Sequence, residues 1–204
     1  MGTLVILREG SPVTITVNLA LNFQWRITMG NNVFTAGTMG KKWAHFIFVA
    51  DYQKTIPDIA MVVSKFSFDR FDRGSKWATS WNDVVHSVKT LCEKEKCKVA
   101  LFRLSCHGNQ NGFKLGSSVF TEKNKDKWKP EVEKIAKYFD PNVSFVTIDA
   151  CKTGQNQRLL QFFSEALGGV KVRGYEKNQS GFSTTEENDR GNFITCKVEI
   201  CQTN

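Results

Sequence analysis

A chain of 204 residues can bury one full core, and its 41% hydrophobic, 12% aromatic and 24% charged residues exclude disorder, collagen and coiled coil. The 28 Lys and Arg against 20 Asp and Glu leave a net charge of +8, which attracts anions non-specifically without marking a nucleic-acid reader. No apolar run approaches the ~18 residues of a membrane helix, so neither a membrane nor nucleic acid is expected as a partner.

The first ten residues lack the basic start and apolar stretch of a secretion signal, and a cytoplasmic protein is expected. Residues 4–38 alternate β-branched runs (13–17, 23–28, 32–36) with turn residues such as Gly10, Pro12 and Gly30. That pattern predicts hairpins, either an N-terminal β appendage over residues 1–40 or an edge of the main sheet. Residues 41–204 read as one larger domain. Its first strand is the nearly unbroken apolar run 43–50, buried on both faces.

Pro57 then opens a helical stripe of Ile59, Val62, Val63 and Phe66, with 66–71 as a short strand candidate. Trp81, Val84, Val85, Val88 and Leu91 predict a second helix capped by Thr79 or Ser80, before a strand at 99–104. Basic residues over 123–137 interleave with Glu122, Asp126, Glu131 and Glu133, as on a solvated helix face. That third helix is expected to start near Pro130, with Trp128, Val132, Ile135, Ala136 and Phe139 as its stripe, and to lead into a strand at 143–148. Leu159, Phe162, Phe163, Ala166 and Leu167 form a fourth, stopped by Gly168 and Gly169 ahead of a strand at 170–173. Residues 176–192 are polar and aperiodic, a long exposed loop, and 193–200 is the closing strand. Alternation of strand and helix from 43 to 175 implies a mostly parallel central sheet with helices on both faces.

A chain of this size needs no disulfide framework, and a reducing compartment would keep its six cysteines as thiols, while the sequence leaves open whether Cys92 pairs with Cys97 or Cys196 with Cys201. Cys92/Cys97 and Cys196/Cys201 share a four-residue gap that fits neither a zinc knuckle nor a redox motif. No metal and no cofactor are expected.

Two predicted strands end in reactive residues: one runs into Ser105-Cys106-His107-Gly108, the next into Asp149-Ala150-Cys151-Lys152-Thr153-Gly154. The 44 residues from His107 to Cys151 suit one crossover between parallel neighbours, whose carboxyl ends then share the sheet edge that holds ligands in open α/β sheets. A thiol attacks as thiolate, and an imidazole within reach can take its proton, so Cys151 and His107 are a candidate acyl-transfer pair. Attack on an amide also needs oxyanion donors, and the N–H groups of Gly108 and Cys151 are the candidates.

These two segments resemble the His-Gly and Asp/Gln-x-Cys-x-x-Gly signatures of the caspase-like (clan CD) cysteine proteases. That group includes caspases, metacaspases, separases, clostripain, gingipains and CHAT domains. The likeness covers roughly residues 43–200, with the stretch 109–116 closer to the CHAT branch, while residues 1–40 match none of these families. It implies a caspase-like sandwich, His107 as general base and Cys151 as nucleophile. By the same likeness Asp149 lines the pocket for the side chain on the acyl side of the scissile bond. Ser105 takes the place of a metacaspase pocket serine, and Asp51 or Asp58 supplies a second acid. A carboxylate there favours Arg or Lys and rejects the acidic side chain that caspases take.

The expected activity is therefore an endopeptidase cutting protein or peptide substrates after Arg or Lys, with loop 176–192 shaping the groove. Arg190 and Arg73, each followed by glycine, are candidate self-cleavage points. The alternative is a catalytically inactive caspase-fold module used for protein interaction, and the two differ in the reactivity of Cys151.

Overall fold

The computed structural model describes residues 2–8, 11–17, 26–27, 33–36, 41–52, 61–62, 65, 75–178, 193–198 and 200–203, with side chains from Lys42 onward. At the N-terminus, β1 (Gly2–Arg8) and β2 (Ser11–Val17) form an antiparallel hairpin. β3 (Arg26–Ile27) and β4 (Val33–Ala36) pair with each other and, through β4, with β5 (Lys41–Ala50). That ladder joins part of the N-terminal β region to the main sheet.

β5 is apolar on both sides because both are covered: Phe46, Ile47, Phe48, Val49 and Ala50 are all buried. Its parallel neighbours are β6 (Lys76–Ala78) and β7 (Cys97–Ser105); β7 pairs in parallel with β11 (Phe145–Asp149), and β11 with β12 (Lys171–Tyr175). Beyond β12 the sheet turns antiparallel through β13 (Phe193–Lys197) and β14 (Ile200–Thr203). The fold is thus mixed α/β, with a central sheet parallel at its core and antiparallel at its margins.

Three helices follow the predicted stripes: α1 (Trp81–Glu95), α2 (Lys125–Glu133) and α3 (Gln157–Ala166). Trp81 meets Phe102 of β7 edge-on at 6.3 Å and Phe163 of α3 at 6.1 Å, so α1 and α3 cover the same face of the sheet. α2 lies over them, its Glu131 carbonyl accepting the Trp81 indole N–H at 3.1 Å. The helices α1, α2 and α3 share one face of the sheet. The strand order gives the reason: β5 to β7 to β11 to β12 always steps the same way, and right-handed crossovers then fall on one side. The reverse step, β5 to β6, has a crossover that lies largely outside the described residues, with Met61, Val62 and Lys65 helical. No described helix is long and apolar enough to cross a membrane.

Several boundaries differ from the sequence expectation. α2 starts at Lys125, so Pro130 lies inside it rather than near its start, and the end of the stripe, Ala136–Tyr138, is a 3-10 turn. Thr121 donates its N–H to the Asn124 side chain at 2.9 Å, which turns the chain into the helix early. Proline lacks the N–H its turn needs, and the helix ends soon after it. Residues 107–121, not predicted as strands, form a second sheet of β8 (His107–Asn109), β9 (Gly112–Leu115) and β10 (Ser118–Thr121). Phe113, Leu115 and Phe120 are buried from it while Lys114 and Val119 face out. Gly116 turns the second hairpin with φ +58°, and a Cβ there would sit 1.9 Å from the Thr79 carbonyl oxygen. The closing strand is a hairpin that sets Cys196 directly opposite Cys201, and these two are disulfide-bonded, a pairing the sequence alone leaves open. Cys92, Cys97, Cys106 and Cys151 are not disulfide-bonded. The candidate strand 66–71 and most of loop 176–192 lie outside the described residues.

The start of α1 supplies a pH-dependent prediction. Asp83 accepts from Thr79 N–H (2.7 Å), the Thr79 hydroxyl (2.6 Å) and Ser80 N–H (3.1 Å). The Thr79 hydroxyl, ahead of the backbone donors, holds its carboxyl below the usual carboxylate range against the opposing effect of burial. A folded-state pKa below the unfolded one gives stability that is present above about pH 4 and lost as pH falls through the folded value. Asp83→Ala should cost about 1 kcal/mol at neutral pH by urea unfolding, a typical worth for a helix-start acceptor. The gap to the parent should close in acid, and a gap constant with pH would refute the account.

Candidate functional site

The parallel pairing of β7 with β11 carries the two reactive segments to one edge. Ser105 lies opposite Asp149 in register, and the ladder runs one step further, Cys106 N–H donating to the Asp149 carbonyl at 3.1 Å. Just past it the chains touch: a Cβ on Gly108 would stand 2.9 Å from the Ala150 Cβ and 3.0 Å from the Gly112 carbonyl oxygen. Glycine is therefore required where the His107 strand crosses the Cys151 turn. His107 and Cys151, 44 residues apart in the chain, flank this contact at the carboxyl edge of the sheet.

His107 is exposed and held from beneath by Tyr52, which follows β5. The Tyr52 hydroxyl accepts the His107 backbone N–H at 2.7 Å and donates to the Lys114 carbonyl at 2.6 Å. Its ring stacks on the imidazole, with centroids 5.1 Å apart and planes 16° from parallel, and Lys114 Nζ lies 5.5 Å from the same ring. Tyr52 was not singled out from the sequence. Its one signal in the sequence is its place just after a buried strand at the ligand edge, next to Asp51.

Cys151 is half-buried in a turn fixed from both sides. Lys152 takes a left-handed conformation, φ 55°, and donates its N–H to the Lys177 carbonyl at 3.0 Å. The Thr153 hydroxyl donates to the Ala150 carbonyl at 3.0 Å. Gly154 lies against β12, where a Cβ would meet the Gly174 carbonyl oxygen at 2.5 Å. The neighbouring Cys106 is different in kind. Burial pushes its thiol well up, and the charges of Asp149 and Cys151 push it the same way, so it stays a neutral, unreactive thiol.

Asp149 is 9% exposed and Ser105 3%, two polar side chains buried together at the end of the paired strands. Asp51 is half-buried beside Tyr52, its N–H donated to the Ala78 carbonyl at 2.8 Å. Asp58, Arg73 and Arg190 lie outside the described residues. The structure therefore gathers His107, Gly108, Cys151, Asp149 and Ser105 at one edge, with Asp51 at the neighbouring strand end. Among the described residues no group of three or more metal-ligating side chains is close enough to hold an ion. No protein-family model and no curated protein matches the chain.

Proposed function

We propose that this protein is a caspase-like cysteine endopeptidase that cuts peptide bonds after Arg or Lys. The observation that carries the reading is the parallel β7–β11 register, which ends both the histidine strand and the cysteine strand at one edge, above a nearly buried carboxylate. In the proposed reaction the Cys151 thiol gives its proton to the His107 imidazole, and the thiolate attacks the scissile carbonyl carbon. Backbone N–H groups of Gly108 and Cys151 receive the oxyanion. The imidazolium then protonates the leaving amine as the C–N bond breaks, leaving a thioester on Cys151. Water, deprotonated by His107, hydrolyses the thioester and restores the thiol.

Specificity follows from charge. Asp149 attracts a guanidinium or ammonium entering beside Cys151 and repels a carboxylate, with the Ser105 hydroxyl available as an additional hydrogen-bond partner. The test is labelling by peptide chloromethyl ketones that end in Arg, Lys or Asp, with the modified residue mapped by mass spectrometry. Attachment at Cys151, on the order of 100-fold faster for the basic probes than for the acidic one, is expected. No adduct at Cys151, or equal rates with all three probes, would overturn the reading and favour the inactive interaction module.

A further inference from the structure

A polar groove of about 730 Å³ opens beside the candidate site. One wall is Gln110 and Asn111, the turn that follows β8 three residues after His107. Another is Gln155, Asn156 and Gln157, which begin four residues after Cys151 and lead into α3. Lys123 stands on the third side. Both reactive segments thus run directly into its walls.

The groove and Asp149 lie on opposite faces of the sheet. Phe102 faces α1, so strand alternation turns Leu104 to the helices and Ser105 away. Val146 pairs with Phe102 and so shares its face, which turns Ile148 to the helices and Asp149 away. The β8–β10 hairpin packs the other way, its Phe113 and Phe120 meeting Phe163 of α3 at 5.5 and 5.4 Å. A polypeptide crossing the sheet edge at Cys151 with its acyl half toward Asp149 leaves over the hairpin and the start of α3.

The lining suits a peptide main chain. A carboxamide presents a donor and an acceptor in the same plane, matching a backbone amide. The side chains of Gln110, Asn111 and Gln157 make no hydrogen bond among the described residues, whereas Gln155 Nε2 is given to the Glu176 carbonyl and Asn156 Oδ1 accepts from Leu159 N–H. Arg158 is neutralised by Glu122 at 2.8 Å, which leaves Lys123 as the unpaired charge of the lining. That is too little for a polyanion site. We infer that this groove binds the main chain of the leaving-group half of the substrate, through the carboxamides of Gln110, Asn111 and Gln157. The inference rests on Cys151 and His107 being the cleavage site.

The experiment uses the full chain carrying Cys151→Ala, so that binding is read without turnover. Two peptides are compared by calorimetry: an octapeptide with Arg at its fourth position, and the same peptide ending at that Arg as an amide. The octapeptide should bind about tenfold tighter, the yield of one or two net hydrogen bonds. Adding Gln110→Ala and Gln157→Ala, both at exposed positions, should erase that advantage and leave the short peptide unchanged. Equal affinities, or an advantage that survives both changes, would overturn the groove. Incubating the unmodified protein with the octapeptide separates the two ideas. Cleavage after Arg with groove-independent binding sinks the groove alone, while groove-dependent binding with no cleavage sinks the protease reading.

Discussion

Cys151→Ala and His107→Ala should each lower kcat/KM on an arginyl peptide by about 10⁴ or more, and the double variant should fall no further than the worse single one. Nucleophile and base act as a unit, so removing either forfeits the same step. Neither change should unfold the protein, because His107 is exposed and Cys151 only half-buried. Cys106→Ala is the internal control: its thiol is buried and kept neutral, and the rate should be unaltered if Cys151 alone attacks. Tyr52→Phe keeps the ring under the imidazole but removes the hydroxyl that accepts His107 N–H, and a fall of about tenfold is expected. An active Cys151→Ala protein, or a Cys106 variant that loses activity while Cys151→Ala keeps it, would defeat the assignment.

Trp81→Ala should cost about 4 kcal/mol of stability in urea unfolding, the range for emptying a large aromatic site in a core. Its side chain is 1% exposed and touches three parts of the molecule: Phe102 of the sheet, Phe163 of α3 and Phe120 of the small sheet at 5.4 Å. The indole N–H donates to the Glu131 carbonyl of α2, so truncation also orphans an acceptor. Trp81→Phe should retain most of the packing and cost about 1–2 kcal/mol. Because Phe120 belongs to the hairpin unit that begins at His107, the alanine variant should also lose hydrolysis before it unfolds globally. A loss under 1 kcal/mol would mean that the aromatic cluster is not the keystone of the core.

Much of this architecture was readable one element at a time. The apolar run at β5 and the stripes of α1 and α3 depend on local periodicity, which burial on one face imposes directly on the sequence. The second sheet is marked only by the alternation of Phe113, Lys114 and Leu115 between Gly112 and Gly116, a run too short for its period to separate a strand from a loop. Pro130 misled in the other direction. A proline is expected in the first turn of a helix, yet the Thr121–Asn124 turn had already started α2.

By itself the sequence determined which segments are strands or helices over most of the described core, and which residues could carry chemistry: a cysteine, a histidine and an aspartate at strand ends. Those follow from side-chain type and spacing, properties a chain holds without knowing its neighbours. Only the tertiary structure decided that α1, α2 and α3 share a face, that Tyr52 lies beneath His107, that Cys106 is sealed while Cys151 is not, and that a carboxamide groove opens opposite Asp149. Each of these depends on strand order and register, set by contacts between residues far apart in the chain, and a periodic pattern carries no record of which strand lies beside which.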